Sequence, residues 1–206
     1  MNIRRRFILP AVALIAIAAV TLVIWISFRP EQAVRHAAAN ESVIHSETFA
    51  VTAVSGQLDT TAKGTLFVLG GEGEAKQIRI VASIEVDPDD WGGIAFNIPK
   101  QWYVSNILSS YPDSKAQSDS DDYVSTWMTA DTDVEWHARV EVGRDRSYKP
   151  AEGGTGTVVI DLVHDQEAET LQETFKMVVE VGSKDKNGIK VMGTDFVEIA
   201  IPLQRP

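Results

Sequence analysis

Residues 76–86, KQIRIVASIEV, show the cleanest alternation of apolar and polar side chains in this 206-residue chain. The apolar members are Ile78, Ile80, Ala82, Ile84 and Val86. Because successive side chains of an extended strand point to opposite faces, these five residues share one face. An apolar face opposite a polar one is typical of a strand with one side on a core.

Nine further segments from Glu47 onward show the same period of two. They are ETFAVTAV, GTLFVLG, GGIAFNIP, QWYVSNILSSYP, YVSTWM, VEWHARVEV, TGTVVIDLVHD, ETFKMVVEVGS and TDFVEIAIPL. Turn signals separate them, and Asn187-Gly188 is the strongest, because Asn-Gly readily takes the positive φ values of a type I′ hairpin. About ten short strands predict an all-β fold, an antiparallel β-sandwich.

The order of these features resembles the immunoglobulin-like and cohesin-like sandwiches of surface proteins. In many of those, a strand of the type GGIAFNIP is followed by a segment like QWYVSNILSS. The resemblance lies in the pattern of strands. It implies a sandwich fold and carries no functional residues to this chain.

The N-terminus predicts one transmembrane helix. Residues 7–28 contain no charged side chain, and as a helix they are long enough to cross the roughly 30 Å hydrocarbon core. Arg4, Arg5 and Arg6 precede this run, so residues 1–6 are expected in the cytoplasm and the rest outside. A cleaved secretory signal ending near Ala37–Ala39 is the alternative. The run exceeds the usual signal core of about 7–15 residues, which favours an uncleaved anchor.

Charge and composition limit the possible partners and chemistry of the part of the chain that follows the predicted span. Three of the 19 basic residues precede the span, so 16 basic and all 29 acidic residues follow it, leaving a net charge of about −13. Such a surface repels phosphate backbones, which argues against nucleic acid as a partner. The chain has no cysteine, and hence no disulfide or thiolate chemistry. Residues 29–46 are expected to form a stalk and residues 47–206 the sandwich.

Catalytic motifs are absent from the sequence. No histidine pair has the spacing of a helical zinc motif, and no G-x-S-x-G elbow occurs. His137 and His164 are expected to be solvent-facing strand residues. Two carboxylates could hydrolyse a glycoside, but 29 acidic residues offer many pairs and the sequence singles out none. We therefore expect that the protein is not an enzyme.

Calcium is the best-motivated cofactor, because it prefers the oxygen ligands that clustered aspartates supply. Asp119, Asp121 and Asp122 lie together in the segment SDSDD. The segment does not match an EF-hand loop, since Val124 occupies the place of the required glycine. The alternative is a solvated acidic loop.

An aromatic and acidic stretch predicts the ligand-binding residues. Trp91 and Tyr103 could stack a sugar ring, with Asp89 and Asp90 beside them. Trp91 is expected to be exposed, because it follows an acidic loop and precedes two glycines. Trp102 and Tyr103 are neighbours on one strand and must point to opposite faces.

These patterns predict a single-pass membrane protein whose outer sandwich is a non-catalytic binding or interaction module. Its partner outside the cell membrane would be a protein or a glycan. One alternative is a structural subunit of a membrane or secretion assembly. Another is an extracytoplasmic hydrolase that uses carboxylates.

Overall fold

The computed structural model describes residues 42–71, 74–113, 123–150, 152–165 and 173–203. Within these ranges the chain forms ten strands, one 3-10 turn at Val54–Gly56 and no α-helix. The strands are β1 (Ser42–Thr52), β2 (Thr61–Gly71), β3 (Glu74–Val86), β4 (Ile94–Pro99), β5 (Trp102–Ser109), β6 (Val124–Met128), β7 (Trp136–Val142), β8 (Gly154–His164), β9 (Thr174–Lys186) and β10 (Ile189–Pro202). The prediction of an all-β fold with about ten strands is confirmed.

The strands form two antiparallel sheets of five. Sheet A has the order β1-β2-β3-β8-β5, and sheet B has the order β10-β9-β4-β7-β6. One hydrophobic core lies between the sheets, which gives a sandwich-like arrangement. β1 packs against β10 on one side of the sandwich, and β5 and β6 are the edge strands on the other.

The apolar face predicted for residues 76–86 is the core face of β3. Its side chains are buried, and they meet the buried Phe96, Val140 and Val179 of sheet B in one cluster. Full burial of an isoleucine-sized side chain contributes about 1.5–3 kcal/mol to folding. The period-two pattern therefore identifies the residues that hold the two sheets together.

The central strand of sheet B, β4, is buried on both faces. Ile94, Phe96 and Ile98 point into the core, as their pattern predicts. On the other face Ala95 and Asn97 are also buried. Because β4 pairs with β7 and β9, long polar side chains of those neighbours cover this face.

The β9–β10 hairpin has the turn that its sequence predicts. Asn187 and Gly188 have φ values of 56° and 80°, and Lys186 pairs with Ile189 across the turn. Two central residues with positive φ define the type I′ geometry, so this prediction is confirmed.

The first strand begins earlier than its pattern indicates. β1 starts at Ser42, so residues 42–46 belong to sheet A although the sequence places them in the stalk. A register shift between Val43 and His45 breaks the alternation that would have marked this part of the strand.

The predicted membrane span at residues 7–28 lies outside the described residues. Among the residues that the structure describes, no helix has the length and apolar character needed to cross a bilayer.

Candidate functional site

Trp91 is buried, and the expectation that it would be exposed is wrong. Its side chain is 7% exposed, and its ring meets Tyr148 edge-on with 5.1 Å between the centroids. Its carbonyl oxygen accepts a hydrogen bond from the Asp145 amide at 3.0 Å. The loop that follows β7 folds over the indole and shields it from solvent.

Asp90 is completely buried and acts as a clamp between distant segments. Its carboxylate accepts hydrogen bonds from the hydroxyls of Thr60 at 2.6 Å and Ser183 at 2.5 Å, and from the Gly92 amide at 2.8 Å. The Asp90 carboxylate thereby joins the segment before β2, the segment before β4 and strand β9. Asp89, its neighbour, is exposed and donates its amide to the Asp87 carboxylate at 2.8 Å.

Tyr103 lies far from Trp91. It is 38% exposed, its ring meets His137 with 4.8 Å between centroids, and its hydroxyl donates to Asp165 at 3.2 Å. Trp91 precedes β4 and Tyr103 follows it, and a six-residue strand is about 20 Å long. The structure therefore places the two aromatics at opposite ends of the sandwich. As predicted, Trp102 points the other way, into the core.

The predicted calcium ligands Asp119, Asp121 and Asp122 lie outside the described residues. Within the described ranges, no three His, Cys, Asp or Glu side chains gather closely enough to hold a metal ion. The calcium site remains a prediction from the sequence.

His137 and His164 are half-buried rather than solvent-facing, so that expectation is wrong. His164 meets Trp102 edge-on at 5.4 Å, and His137 meets Tyr103. The Nε2 atoms of both histidines are buried and have no hydrogen-bond partner in the described part of the chain. Packing against Trp102 and Tyr103 covers these two histidine side chains.

The outer face of sheet B carries two rows of cross-strand neighbours. One row consists of Glu198, Val178, Asn97, Arg139 and Trp127, and the other consists of Phe196, Glu180, Ala95, Glu141 and Ser125. With strands about 4.8 Å apart, each row runs roughly 19 Å from β10 to β6. The small side chain of Ala95 leaves room at the centre for the long side chains around it.

Glu141 is the centre of an ion-pair cluster on this face. Its Oε1 accepts hydrogen bonds from Arg139 Nε at 3.2 Å and from Arg144 Nη1. Its Oε2 accepts them from Arg146 Nη2 at 2.6 Å and from Ser125 Oγ at 3.5 Å. The Glu141 side chain is only 2% exposed, and a buried carboxylate is tolerated when it is paired in this way. We call these five residues the Glu141 cluster.

Arg139 extends the cluster toward β4 and β9. Its Nη1 donates to Asn97 Oδ1 at 2.9 Å, and its Nη2 donates to Glu180 Oε2 at 2.7 Å. Asn97 Nδ2 completes the ring by donating to Glu180 Oε1 at 2.8 Å. Because each polar group of this ring has a partner of fixed geometry, the guanidinium is held in one orientation.

Trp127 lies at the β6 edge of the cluster. The guanidinium carbon of Arg146 is 3.8 Å from the centre of the indole, within the range of a cation–π interaction. The indole Nε1 donates to Ser125 Oγ at 3.2 Å. The side chain is nevertheless 45% exposed, so an aromatic surface faces solvent in a fixed position.

An open pocket of about 530 Å³ is lined in part by Ser125 and Arg146, which both contact Trp127. Its lining residues are Tyr123, Val124, Ser125, Glu141, Arg144, Asp145, Arg146 and Ser147. Pockets that bind small ligands usually measure about 300–1,000 Å³. Arg144 Nε is buried and lacks an acceptor among the described residues.

The predicted site residue Trp91 contacts the loop that lines this pocket. The loop after β7 carries Arg144 and Arg146, and it is fixed by the hydrogen bond from the Asp145 amide to the Trp91 carbonyl. Asp145 Oδ1 also accepts hydrogen bonds from the amide and hydroxyl of Ser147 at 2.6 and 2.5 Å. Trp91 therefore positions the arginines rather than presenting its own ring.

The electrostatics of the pocket differ from those of the whole chain. The hydroxyl of Ser147 is the largest influence lowering the pKa of Asp145, and Lys149 lowers it further. The charged side chains that line the pocket are Arg144, Arg146, Glu141 and Asp145. Their net charge is zero, on a chain whose net charge is −10.

The Glu141 cluster was not predicted from the sequence. Arg139 and Glu141 alternate on the polar face of VEWHARVEV, and Arg144 and Arg146 flank Asp145 in the following turn. The presence of these arginines close together on a strongly acidic chain was the signal in the sequence that could have indicated the cluster. Their convergence on one carboxylate depends on the turn after β7, which the alternation pattern does not describe.

Comparison with protein-family models and with curated proteins finds no match for this chain.

Proposed function

We propose that this protein is a membrane-anchored, extracytoplasmic, non-catalytic binding module whose ligand is a glycan. The uncharged run at residues 7–28, preceded by three arginines, supports a single membrane anchor with the C-terminal domain outside. A sandwich of immunoglobulin-like or cohesin-like type would display the outer face of sheet B to the medium.

The observation that carries this proposal is the exposed Trp127, which contacts Ser125 and Arg146 of a polar pocket. An indole face packs against the C–H groups of a sugar ring, and fixed donors and acceptors bind its hydroxyls. Arg146, Asp145 and Ser147 provide such groups at the pocket. Because Glu141 and Ser147 already hold these side chains, little side-chain entropy would be lost on binding.

The same geometry favours binding over hydrolysis. Glu141 has both carboxylate oxygens bonded to guanidinium groups. Asp145 has a lowered pKa, whereas a carboxyl that protonates a leaving group needs a raised one. The carboxylates at this pocket therefore suit ligand contacts better than acid catalysis.

A binding screen tests the proposal. Full-length protein, purified in detergent, is applied to an array of soluble oligosaccharides, and binders are measured by calorimetry. We expect Trp127→Ala to weaken binding at least about tenfold, equivalent to roughly 1.4 kcal/mol. Phe196→Ala is the matched control, because Phe196 is an exposed aromatic on the same face at the opposite edge. Equal losses in both variants, or no binder on the array, would contradict the proposal.

The membrane anchor has its own test. Alkaline carbonate extraction of membranes should leave the full-length protein in the pellet. Release into the supernatant, together with loss of the first residues in mass spectrometry, would favour the cleaved signal.

A second candidate function is that of a subunit in an envelope assembly, and the uncharged edge of the sandwich favours it. Neither β5 nor β6 contains a charged residue. Leu108 and Met128 on these strands are 60% and 65% exposed. Edge strands usually carry charges that prevent pairing with other chains. On this alternative Thr126→Lys, which puts a charge on β6, should abolish co-purification of the partner from native membranes.

A further inference from the structure

We infer that two copies of this chain associate face to face through the outer surface of sheet A. This surface lies on the side of the sandwich opposite the Glu141 cluster, and the association is independent of the glycan-binding function proposed above. It consists of the side chains of β1, β2, β3, β8 and β5 that alternate with the buried core residues of those strands. We call it the sheet A face.

Apolar side chains are spread over the whole sheet A face. One row of cross-strand neighbours is Val43, Leu69, Gln77, Val163 and Tyr103, and another is Thr48, Thr65, Val81, Val159 and Leu108. In these rows Val43, Leu108 and Val163 are 54%, 60% and 40% exposed. A contiguous apolar surface that faces solvent marks an interaction site.

The sheet A face has no net charge. Between the rows of Leu69 and Glu85, the charged side chains among the described residues are Lys63, Arg79, Glu85 and Asp161, two of each sign. The outer face of sheet B is more highly charged, with Lys176, Glu180, Glu198, Arg139 and Glu141 on its strands. Because the whole chain has a net charge of −10, two copies repel each other over much of their surface. The sheet A face is where this repulsion is weak.

The dimensions of the face suit a dimer. Five strands about 4.8 Å apart make it about 19 Å wide, and residues 77–85 of β3 extend over about 26 Å. In projection, the faces of two copies therefore cover about 1,000 Å², which reaches the area expected of a specific interface. Two sheets pack in this way with their strands nearly aligned and about 10 Å between them.

The ion pair of Arg79 and Asp161 favours a second copy over a different partner. It lies near the centre of the face on the neighbouring strands β3 and β8, with 2.6 Å between Arg79 Nε and Asp161 Oδ1. A two-fold axis between these strands would set the Arg79 of each copy opposite the Asp161 of the other, so that four charges alternate in sign. An interface between identical copies requires such self-complementarity.

The same axis suits two copies in one membrane. Because it runs along the strands, it leaves Ser42, where β1 begins, at the same end of both sandwiches. The proposed anchors, which precede Ser42, would then enter the membrane side by side. The outer face of sheet B stays free in each copy.

Sedimentation equilibrium of the full-length protein in density-matched detergent tests the association. We expect a monomer–dimer equilibrium with a Kd on the order of micromolar, since the interface is close to the lower size limit. Thr157→Glu adds a charge at an exposed position of the face and should weaken dimerisation at least about tenfold. Ala200→Glu is the matched control, because it adds the same charge at an exposed position of β10 on the outer face of sheet B. Its Kd should stay within about twofold of that of the unchanged protein.

Cross-linking in native membranes covers the case in which Thr157→Glu does not fold. Because the chain contains no cysteine, a single introduced thiol is the only one that can react. Ser83→Cys introduces it at an exposed position of β3 on the sheet A face, and Lys176→Cys introduces it at an exposed position of β9 on the other sheet. A bismaleimide that spans a little more than the roughly 10 Å between packed sheets should link Ser83→Cys into a covalent homodimer and leave Lys176→Cys monomeric.

The outcomes distinguish a second copy from other occupants. A monomeric protein in detergent, with no covalent homodimer in membranes, would overturn the association. A dimer that is as tight in Thr157→Glu as in Ala200→Glu would be held by the anchor or by another face, and the sheet A face would be wrong. If Ser83→Cys is linked only to a protein of different mass, the face binds another partner and the assignment to a second copy is wrong. None of these results depends on whether a glycan binds.

Discussion

The ring of Trp91 packs edge-on against that of Tyr148, with 5.1 Å between their centroids. This contact joins the segment before β4 to the loop that carries Arg144 and Arg146, and it makes a predicted ligand residue part of the framework.

Trp91→Ala should lower the free energy of unfolding by about 3–5 kcal/mol, because it leaves a cavity where a buried indole packs. Urea denaturation of the full-length protein measures the change. Trp127→Ala is the control, and as an exposed residue it should cost about 1 kcal/mol or less. Similar losses in the two variants would show that Trp91 is not a framework residue.

Asp90→Ala should lower the free energy of unfolding by about 3 kcal/mol. It leaves the buried hydroxyls of Thr60 and Ser183 and the Gly92 amide without their acceptor. The exposed neighbour allows a matched comparison, since Asp89→Ala should change the value by about 0.5 kcal/mol or less. If Asp90→Ala leaves the free energy of unfolding unchanged in urea titrations, Asp90 does not act as a clamp.

Glu141→Gln should destabilise the protein by about 3 kcal/mol, because three guanidinium groups then face each other without their shared anion. Added salt should recover part of this loss by screening the repulsion. Urea denaturation at low and high salt tests both points, with Glu198→Gln on the same sheet face as control. A salt-independent loss would point to packing rather than to charge.

Asp161 should contribute to acid sensitivity. The hydrogen bond from Arg79 is the largest influence holding the pKa of Asp161 below its usual value, and Asn106 lowers it further against the opposing effect of burial. Since the folded-state pKa is lower than the unfolded value of about 3.9, the ionised group stabilises the fold above that pH. This contribution is lost as the pH falls through the folded-state pKa.

Asp161→Asn should therefore flatten the fall in unfolding free energy below about pH 4. Urea titrations across this range measure the slope. Glu85→Gln, an exposed site on β3, controls for the loss of one negative charge. An unchanged slope in Asp161→Asn would contradict the prediction.

Two glycines with positive φ should respond differently to alanine. At Gly188, φ is +80° and an added Cβ meets nothing within 4 Å, so Gly188→Ala should cost about 1 kcal/mol in backbone strain. At Gly93, φ is +61° and the Cβ would collide with the Val142 carbonyl oxygen. Gly93→Ala should cost at least about 2 kcal/mol more, and equal urea midpoints would refute the difference.

The strands and the core face follow from local pattern. The alternation in residues 76–86 identifies Ile78, Ile80 and Ile84 as core residues, because a strand has a strict period of two and one face must be buried. The Asn187-Gly188 turn is equally local, since both residues readily take positive φ. In β1 the local pattern does not predict the start of the strand, because the bulge near Val43 interrupts the period of two.

The site depended on contacts between residues distant in the chain. Asp90 bonds to Ser183, which is 93 residues away, and Arg139 bonds to Asn97, which is 42 residues away. The sequence by itself determined which segments are strands and which faces are apolar, because those properties arise from neighbouring residues. Tertiary structure decided that Trp91 is buried and that three arginines surround Glu141, because sheet order and the fold of the β7–β8 loop bring these groups together.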